Sequence, residues 1–233
     1  MLMRTLQEQS SISVIIPTLN RAETLPRLLA CLCAQPLIGE IIVADCGSAD
    51  RTVVLAEALG ALIVNAAPGR GTQLAAGAAA ASGRWLLFLH ADCRPEPGWP
   101  QAVIAFINAP QGEGRAGYFD FALDDAAPAA RRLERIVAWR CRVLALPYGD
   151  QGLLISRALY DALGGFAPLP LMEDVDLARR LGRRRLARIG VSCLASARRY
   201  RQDGYWRRPL RNLVCLSLYF AGLPPRRIMR LYR

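Results

Sequence analysis

Residues 86–92 read LLFLHAD, and this stretch decides the fold class because a run of apolar residues stops abruptly in polar ones. A short apolar run bounded by turn signals is typical of a strand that is buried on both faces. Pro95 and Pro97 then turn the chain away. His90 is the only histidine of the 233 residues, and Asp92 follows where a buried strand would surface. The carboxylate therefore lies where a ligand could reach it.

Strand patterns alternate with helix patterns on both sides of this stretch. The predicted strands cover residues 13–17, 40–45, 61–65, 84–90 and 118–125, and the predicted helices cover 21–35, 51–59, 72–83, 129–146 and 171–184. A strand and a short helix are predicted after residue 149. Such alternation predicts an α/β fold with a doubly wound, mostly parallel sheet and helices on both faces.

Candidate ligand-binding residues, most of them polar, lie at or just past the ends of three predicted strands. They are Pro17, Thr18 and Asn20 after the first, Asp45 after the second, and His90 with Asp92 after the fourth. In open parallel sheets the ligand binds beyond the carboxyl ends of the strands, so these groups are expected at one edge. The sequence contains no repeat and no linker pattern. It predicts a single domain made of a first half (12–125), a second half (126–210) and a basic tail (211–233).

Charge is distributed unevenly along the chain. Residues 1–125 contain 8 Arg and 12 acidic residues, whereas residues 126–233 contain 22 Arg and 7 acidic residues, and lysine is absent. An arginine-rich half attracts phosphates or anionic lipid. We expect no nucleic acid partner, because the acidic residues at the sheet edge would then have no purpose.

Composition also bears on location. No window reaches the roughly 18 apolar residues that a membrane-spanning helix needs, and the N-terminal segment has no apolar signal-peptide core, which favours a cytoplasmic location. The seven cysteines are odd in number and lack zinc-ligand spacing. We expect reduced thiols, most of them buried.

Two groups of acidic residues are candidates for chemistry. A carboxylate such as Asp92, together with substrate phosphates, is a usual way to hold Mg²⁺ or Mn²⁺. The helix start at Glu173, Asp174 and Asp176 fits capping and the helix dipole, or alternatively a general base that deprotonates an acceptor hydroxyl. Asp50 is expected to cap the helix that begins near residue 52, which leaves Asp45 to face the ligand edge.

A glycine-flanked arginine precedes the third helix. Gly69, Arg70 and Gly71 let the backbone approach a ligand, and a guanidinium pairs with phosphate oxygens. The pattern is neither a P-loop nor G-x-G-x-x-G, so it is either a simple loop or a phosphate contact.

In their order, these segments resemble family 2 glycosyltransferases of the GT-A fold. SVIIPTLNRAETL, VADCGSADRT, HAD, and GGF followed by MEDVDLARRL resemble that family's four motifs, over residues 12 to about 185. YGDQ and SARRY further resemble a small stand-alone bacterial subgroup. The resemblance implies transfer of a sugar from a UDP- or GDP-linked donor, with inversion and with a divalent metal, Mn²⁺ or Mg²⁺.

The resemblance also implies roles for individual residues. Asp174 would be the catalytic base, Glu173 would orient it or the acceptor, and Asp92 would bind the metal. The residues implied for the nucleotide sugar are Pro17, Thr18, Asn20, Glu23, Asp45, Arg70, Gly71, His90, Asp150 and Gln151. Three positions depart from the family pattern: Cys46 replaces an acid, His90 replaces the first aspartate of D-x-D, and Glu23 is displaced from Asn20.

The tail and the enzyme class leave alternatives open. The apolar stretch 213–223 is too short to span a bilayer, so it is either a packed helix or an interfacial one flanked by arginines. The acceptor could be lipid-linked, and the enzyme could lie at the inner face of the membrane.

The alternative functions are a sugar-nucleotide pyrophosphorylase, for which the glycine-rich loop and the lysine are missing, and a non-enzymatic protein that binds anions or a membrane surface.

Overall fold

A computed structural model describes residues 11–232 of the chain. The segment 1–10, on which the prediction about a signal peptide depends, lies outside the described residues, as does the last residue of the tail.

Within residues 11–232, eight strands form one sheet in the order β3-β2-β1-β4-β7-β6-β8-β5. The strands are β1 (Ile12–Thr18), β2 (Ile38–Asp45), β3 (Leu62–Asn65), β4 (Trp85–Phe88), β5 (Cys93–Pro95), β6 (Ala116–Leu123), β7 (Leu153–Ser156) and β8 (Leu186–Ala195). Strands β1 to β4 are mutually parallel, and β6 is parallel to β8. β7 lies between these two blocks and is antiparallel to both of its neighbours. The predicted mostly parallel α/β sheet is confirmed.

Helices flank this sheet and connect its strands. They are α1 (Leu25–Cys33), α2 (Thr52–Ala58), α3 (Arg70–Ala80), α4 (Trp99–Ile107), α5 (Pro128–Leu144), α6 (Arg157–Ala162), α7 (Glu173–Leu181), α8 (Arg198–Asp203), α9 (Arg207–Phe220) and α10 (Pro225–Tyr232). A single 3₁₀ turn, Gly149–Gln151, precedes β7.

The core lies around β1, whose seven residues are all buried. The four buried leucines of α1 recur at helical spacing and cover one face of the sheet. α3 can approach β1 closely because residue 77 is glycine: a Cβ there would lie 2.5 Å from the Cγ2 of Ile15. The small residues of α3 therefore serve helix-to-strand packing.

Several predicted boundaries were wrong by a few residues. α3 begins at Arg70 and ends at Ala80, whereas the prediction was 72–83; Gly83 packs against Ser13 instead of ending the helix. The predicted strand 84–90 stops at Phe88, so His90 lies in a turn. The tail helix predicted over 213–223 is α9, which starts earlier because Arg207, Arg208 and Arg211 continue its helical pattern.

Five elements were not predicted: β5, α4, β8, α8 and α10. β5 contains three residues, which is too few for a periodic pattern, and it pairs with β8. β8 alternates only in part between buried and exposed residues, so its sequence resembles an irregular loop. Of the seven cysteines, Cys93, Cys141, Cys193 and Cys215 are buried. Within residues 11–232, no helix is both long and apolar enough to cross a bilayer.

Gln73 connects the ends of β1 and β2. Its side-chain amide donates to the carbonyl oxygens of Thr18 and Ala44, both at 2.8 Å, and the residue is buried. Buried carbonyl groups that lose a donor cost free energy, so this amide stabilises the sheet edge at which polar residues collect.

We expect Gln73→Leu to lower the free energy of unfolding by roughly 1–3 kcal/mol, because the carbonyl oxygens of Thr18 and Ala44 each lose a hydrogen bond. Chemical denaturation measures the change. The matched control is Gln101→Leu, an exposed glutamine on α4, which should change stability by less than about 0.5 kcal/mol. Equal stability of the two variants would show that Gln73 does not hold the strand ends.

Candidate active site

A cleft of about 540 Å³ opens at the carboxyl ends of β1 and β4. It collects residues from both halves of the chain and from the tail. The charged and polar residues among its lining are Arg21, Arg70, His90, Asp92, Tyr148, Asp150, Glu173, Asp174, Ser196, Arg199, Tyr200, Arg208, Asn212 and Tyr232. Six of the residues predicted for the site are among them.

Asp92 and His90 lie side by side in the turn after β4, and His90 Nδ1 contacts an Asp92 carboxylate oxygen. Both side chains are nearly four-fifths buried. Burial alone would raise the pKa of Asp92, but His90 and the nearby Arg21 hold it well below its usual range. Asp92 is therefore an anion at neutral pH, at the floor of the cleft.

Arg70 and Glu173 form an ion pair between α3 and the start of α7. Arg70 Nε lies 3.0 Å from Glu173 Oε1, and the Glu173 side chain is 2% exposed. Burial and the neighbouring Asp174 raise the pKa of Glu173 to about 7, although Arg70 opposes the shift. Burial would lower the pKa of Arg70, but the surrounding carboxylates raise it. The pair joins the two halves of the chain at the cleft wall.

Asp174 follows Glu173 on the first turn of α7, and its side chain points in a different direction. Its Oδ2 accepts a hydrogen bond of 2.8 Å from the backbone N–H of Gly149. This bond fixes the carboxylate against the 3₁₀ turn, while Asp174 still lines the cleft. A carboxylate held in this way can accept a proton from a bound hydroxyl group.

Asp150 is the fourth carboxylate of the cleft. Its Oδ1 is buried and has no hydrogen-bond partner among the described residues. Burial raises the pKa of Asp150, although Arg140 and Arg70 oppose the shift. Its backbone carbonyl accepts a hydrogen bond from the thiol of Cys93. Asp150 thus presents an unsatisfied carboxyl oxygen close to the other acidic groups.

Arginines from four elements surround these carboxylates. Arg208 of α9 is buried apart from 11% of its side chain, and its guanidinium lies 5.4 Å from the ring centre of Tyr200. Burial, Arg199 and Arg70 together lower the pKa of Arg21, although Asp92 opposes them. Because several cations share one cleft, an anionic ligand would relieve their mutual repulsion.

The predicted residues at the ends of β1 and β2 form a separate cluster that braces two loops. Asp45 is buried: its Oδ1 accepts from the backbone N–H groups of Gly47 and Ser48, and its Oδ2 accepts from the hydroxyls of Thr18 and Ser48. Burial would raise the pKa of Asp45, but these hydrogen bonds lower it. All four lone-pair positions are thus occupied within the protein.

Asn20 and Asp50 continue this brace. The Asn20 side-chain oxygen accepts from the N–H of Ala49 at 2.9 Å, with the Asn20 backbone in the left-handed region. Asp50 accepts from the N–H groups of Thr52 and Ala22, so it fixes the start of α2, as expected, and also the loop after β1. Pro17 is buried in the same strand end.

Three further predicted residues have structural contacts and do not line the cleft. Glu23 is exposed and pairs with Arg198 at 2.7 Å. Gly71 donates its N–H to the carbonyl of Leu169, and a Cβ at residue 71 would clash with backbone oxygens. Gln151 is buried, donates to the Phe119 carbonyl and accepts from Arg140.

The sequence interpretation missed the cleft residues that come from the C-terminal helices. They are Arg199, Tyr200, Arg208, Asn212, Met229 and Tyr232, and Arg21 was missed as well. The arginine-rich segments SARRY and RRPLRN were visible as a signal, but arginine counts alone do not distinguish a site wall from a solvated face. The tail was expected to pack or to meet a membrane, and it packs beside the cleft.

The donor set beside Asp92 can be compared with the needs of a metal ion. His90 Nδ1, an Asp92 oxygen and Cys93 Sγ lie within 4.8 Å of one another. The thiol is buried, burial and the neighbouring Cys193 raise its pKa, and it donates to the Asp150 carbonyl. The available donors are therefore oxygen and imidazole nitrogen, which suit Mn²⁺ or Mg²⁺ better than a soft cation.

Comparison with solved structures gives matches along nearly the whole chain. Glucosyl-3-phosphoglycerate synthase from Mycobacterium tuberculosis, in complex with Mn²⁺, UDP and glucosyl-3-phosphoglycerate, is 26% identical with a TM-score of 0.62, and the match covers 94% of this chain and 84% of that one. The same enzyme with Mn²⁺, UDP-glucose and glycerol 3-phosphate has the same identity, coverage and TM-score. A further structure of this synthase is 25% identical with a TM-score of 0.64, covering 94% and 85%.

The family comparison is consistent with these structures. The model of glycosyl transferase family 2 matches residues 13–155, which is more than half of the chain. The match begins at β1 and includes Asp45, Asp92 and Asp150. It confirms the enzyme class implied by the sequence motifs and decides against the pyrophosphorylase and the non-enzymatic binding protein. The chain therefore belongs to glycosyl transferase family 2 and is a glycosyltransferase.

Proposed function

We propose that the protein transfers a sugar from a UDP-linked donor to a hydroxyl group of a small acceptor that carries a phosphate. The observation that carries this proposal is that Asp92 and Asp174 line one cleft that is walled by arginines. The solved relatives with UDP-glucose and a phosphorylated acceptor support the same ligand classes. A lipid-linked acceptor, also expected from the sequence, stays a prediction.

In this proposal the donor diphosphate lies near Asp92 and His90, which would hold Mn²⁺ or Mg²⁺. The metal ion would neutralise the charge that develops on the departing nucleoside diphosphate. Arg21 and Arg70 line the same cleft and would bind the donor phosphates. The loop braced by Asp45 fixes the strand ends beside it and, through its rigidity, keeps the nucleotide end of the site in place.

The acceptor would lie against α8 and α9, which contribute Arg199 and Arg208 to the cleft lining. Arg199 and Arg208 would bind its phosphate group, and Tyr200 supports the guanidinium of Arg208. Asp174 accepts the proton of the attacking hydroxyl, and the hydrogen bond from Gly149 keeps its carboxylate in position. Attack on the face opposite the leaving group gives inversion of the anomeric carbon.

Glu173 acts as a positioning residue. It is buried beneath the cleft wall and holds Arg70 through their ion pair. Because it precedes Asp174 directly, any change in the Glu173–Arg70 pair moves the start of α7 and with it the base. For the place of action we propose the cytoplasm, with reversible contact to anionic membrane lipid through a surface described below.

With UDP-glucose as donor, we expect UDP release to be faster with glycerol 3-phosphate than with glycerol, because only the former offers a phosphate to Arg199 and Arg208.

Asp174→Asn should lower turnover by roughly 10²–10⁴ while donor binding persists. Asp176→Asn is the matched control, since Asp176 pairs with Arg180 on the same helix. Unchanged turnover in Asp174→Asn, with wild-type turnover established, would assign the base to another carboxylate.

Asp92→Asn should weaken Mn²⁺-dependent binding of UDP by roughly tenfold or more, because an amide is a poorer ligand for a hard cation than a carboxylate. Calorimetry with and without Mn²⁺ measures this effect. Asp161→Asn, an exposed carboxylate on α6, is the control and should bind UDP as the wild type does. Equal Mn²⁺ dependence in Asp92→Asn would remove Asp92 from the metal site.

The raised pKa of Glu173 predicts a pH dependence of stability. The pKa of Glu173 in the folded protein, about 7, lies above the ordinary value of 4.5. The stability that the protonated Glu173 side chain contributes is therefore fully present below pH 4.5 and is lost as the pH rises through 7. Glu173→Gln cannot ionise, so the wild type should lose stability relative to this variant between about pH 5 and 8, by at most about 3 kcal/mol. Melting temperatures across this range test it; parallel curves would contradict the raised pKa.

A further inference from the structure

Helix α9 exposes an apolar stripe on the side that faces away from the domain. The exposed fractions are 66% for Trp206, 62% for Leu210, 56% for Leu213 and 48% for Val214. Their spacing of four, three and one residues places them on one side of a helix. The opposite side packs inward through Cys215 and Leu216, which are buried. α9 is therefore apolar on two sides, and one of them has no partner within the described chain.

The neighbouring helix also exposes an apolar residue. α10 packs against α9, and its Leu231 is 54% exposed while Ile228 is buried between the helices. Single exposed apolar residues are normal, but a contiguous patch marks an interaction site. We call the outer side of α9 and α10 the docking face; its apolar residues are Trp206, Leu210, Leu213, Val214 and Leu231.

The charge around the docking face has one sign. Residues 204–233 contain seven arginines and no acidic residue. Arg208 and Arg211 pair with Asp203. The remaining arginines within the described part of this segment form no ion pair with any described residue, and they are exposed: Arg207, Arg226, Arg227 and Arg230. Exposed unpaired cations beside apolar side chains complement a surface that is anionic outside and apolar beneath.

We propose that the docking face binds the surface of a membrane that contains anionic lipid. Leucine and tryptophan side chains insert at the boundary between headgroups and acyl chains, and the arginines bind lipid phosphates. A second copy of the chain fits less well, because two faces of equal positive charge would repel each other. The proposal rests on this surface alone and does not depend on the acceptor proposed above.

Binding of this face to a membrane would also bring one wall of the cleft close to the lipid surface. The inner sides of the same two helices contribute Arg208, Asn212, Met229 and Tyr232 to the cleft lining. A membrane-bound α9 and α10 would therefore hold the acceptor wall near the lipid surface.

A second exposed stripe provides a matched control. On α5 the exposed fractions are 49% for Ile136, 52% for Trp139 and 45% for Val143. Two arginines of this helix already have partners within the protein: Arg131 pairs with Glu134, and Arg140 donates to the Leu146 carbonyl. The α5 stripe has similar apolar exposure, but α5 also contains Glu134, whereas α9 and α10 contain no acidic residue, so the stripe should contribute less to binding.

The experiment is co-sedimentation of the full chain with phosphatidylcholine vesicles, with and without phosphatidylglycerol, at low salt and at about 0.15 M salt. We expect binding only with phosphatidylglycerol, weakened by salt. Arg226→Gln/Arg227→Gln should bind roughly tenfold more weakly or worse, since each arginine near an anionic surface contributes separately. Leu210→Ser/Leu213→Ser should lose binding, whereas Ile136→Ser/Val143→Ser should keep it. Circular dichroism confirms that the variants are folded.

Three results would overturn the proposal. They are no sedimentation with anionic vesicles at low salt, loss of binding in the α5 variant with retention in the α9 variant, and a dimer in light scattering that Leu210→Ser/Leu213→Ser dissociates. The last result would assign the face to a second copy. UDP release with a soluble acceptor is measured in parallel: none of the substituted residues lines the cleft, so a failed glycosyl transfer is distinguishable from failed docking.

Discussion

The buried ion pair between Arg70 and Glu173 is the contact on which the active site depends. Arg70 begins α3 in the first half of the chain, and Glu173 begins α7 in the second, so one pair aligns two segments that are about a hundred residues apart. Breaking the pair is costly mainly on the side of Glu173, because its buried carboxylate would lose the positive charge that compensates it. The pair therefore holds the start of α3 against the start of α7, where Asp174 lies next to Glu173 on the same helical turn.

The electrostatics of the cleft follow from the same arrangement. Asp92, Asp150 and Asp174 come from three different elements and lie among arginines. Asp92 is held as an anion, whereas burial raises the pKa of both Asp150 and Glu173. Carboxyl groups with different pKa values in one cleft can have different chemical roles. The difference in pKa arises from the surroundings of each group and not from the residue type.

Much of the fold could be predicted from the sequence, because β1, β2 and β4 are apolar runs and α3, α5 and α7 have strong helical patterns. The position of Asp92, Glu173 and Asp174 in one cleft was also predicted, from strand ends and from motif order. The contacts of Gln151 and Gly71 could not be predicted from motifs, since their partners Phe119 and Leu169 lie far from them in the sequence. The same holds for Arg208 and Tyr232: a tail's composition does not reveal which of its faces turns toward the cleft.

The late position of strand β7 in the sequence has a consequence for how the chain folds while it is being synthesised. β4 pairs on one side with β1 and on the other with β7, which follows it by about 65 residues. At a translation rate of about 5–20 residues per second, the free edge of β4 stays unpaired for several seconds. An unpaired apolar strand edge can pair with another chain. The nascent protein therefore passes through a stage in which four parallel strands present an open side, and a chaperone that covers this edge until Leu153–Ser156 has emerged would raise the yield of folded enzyme.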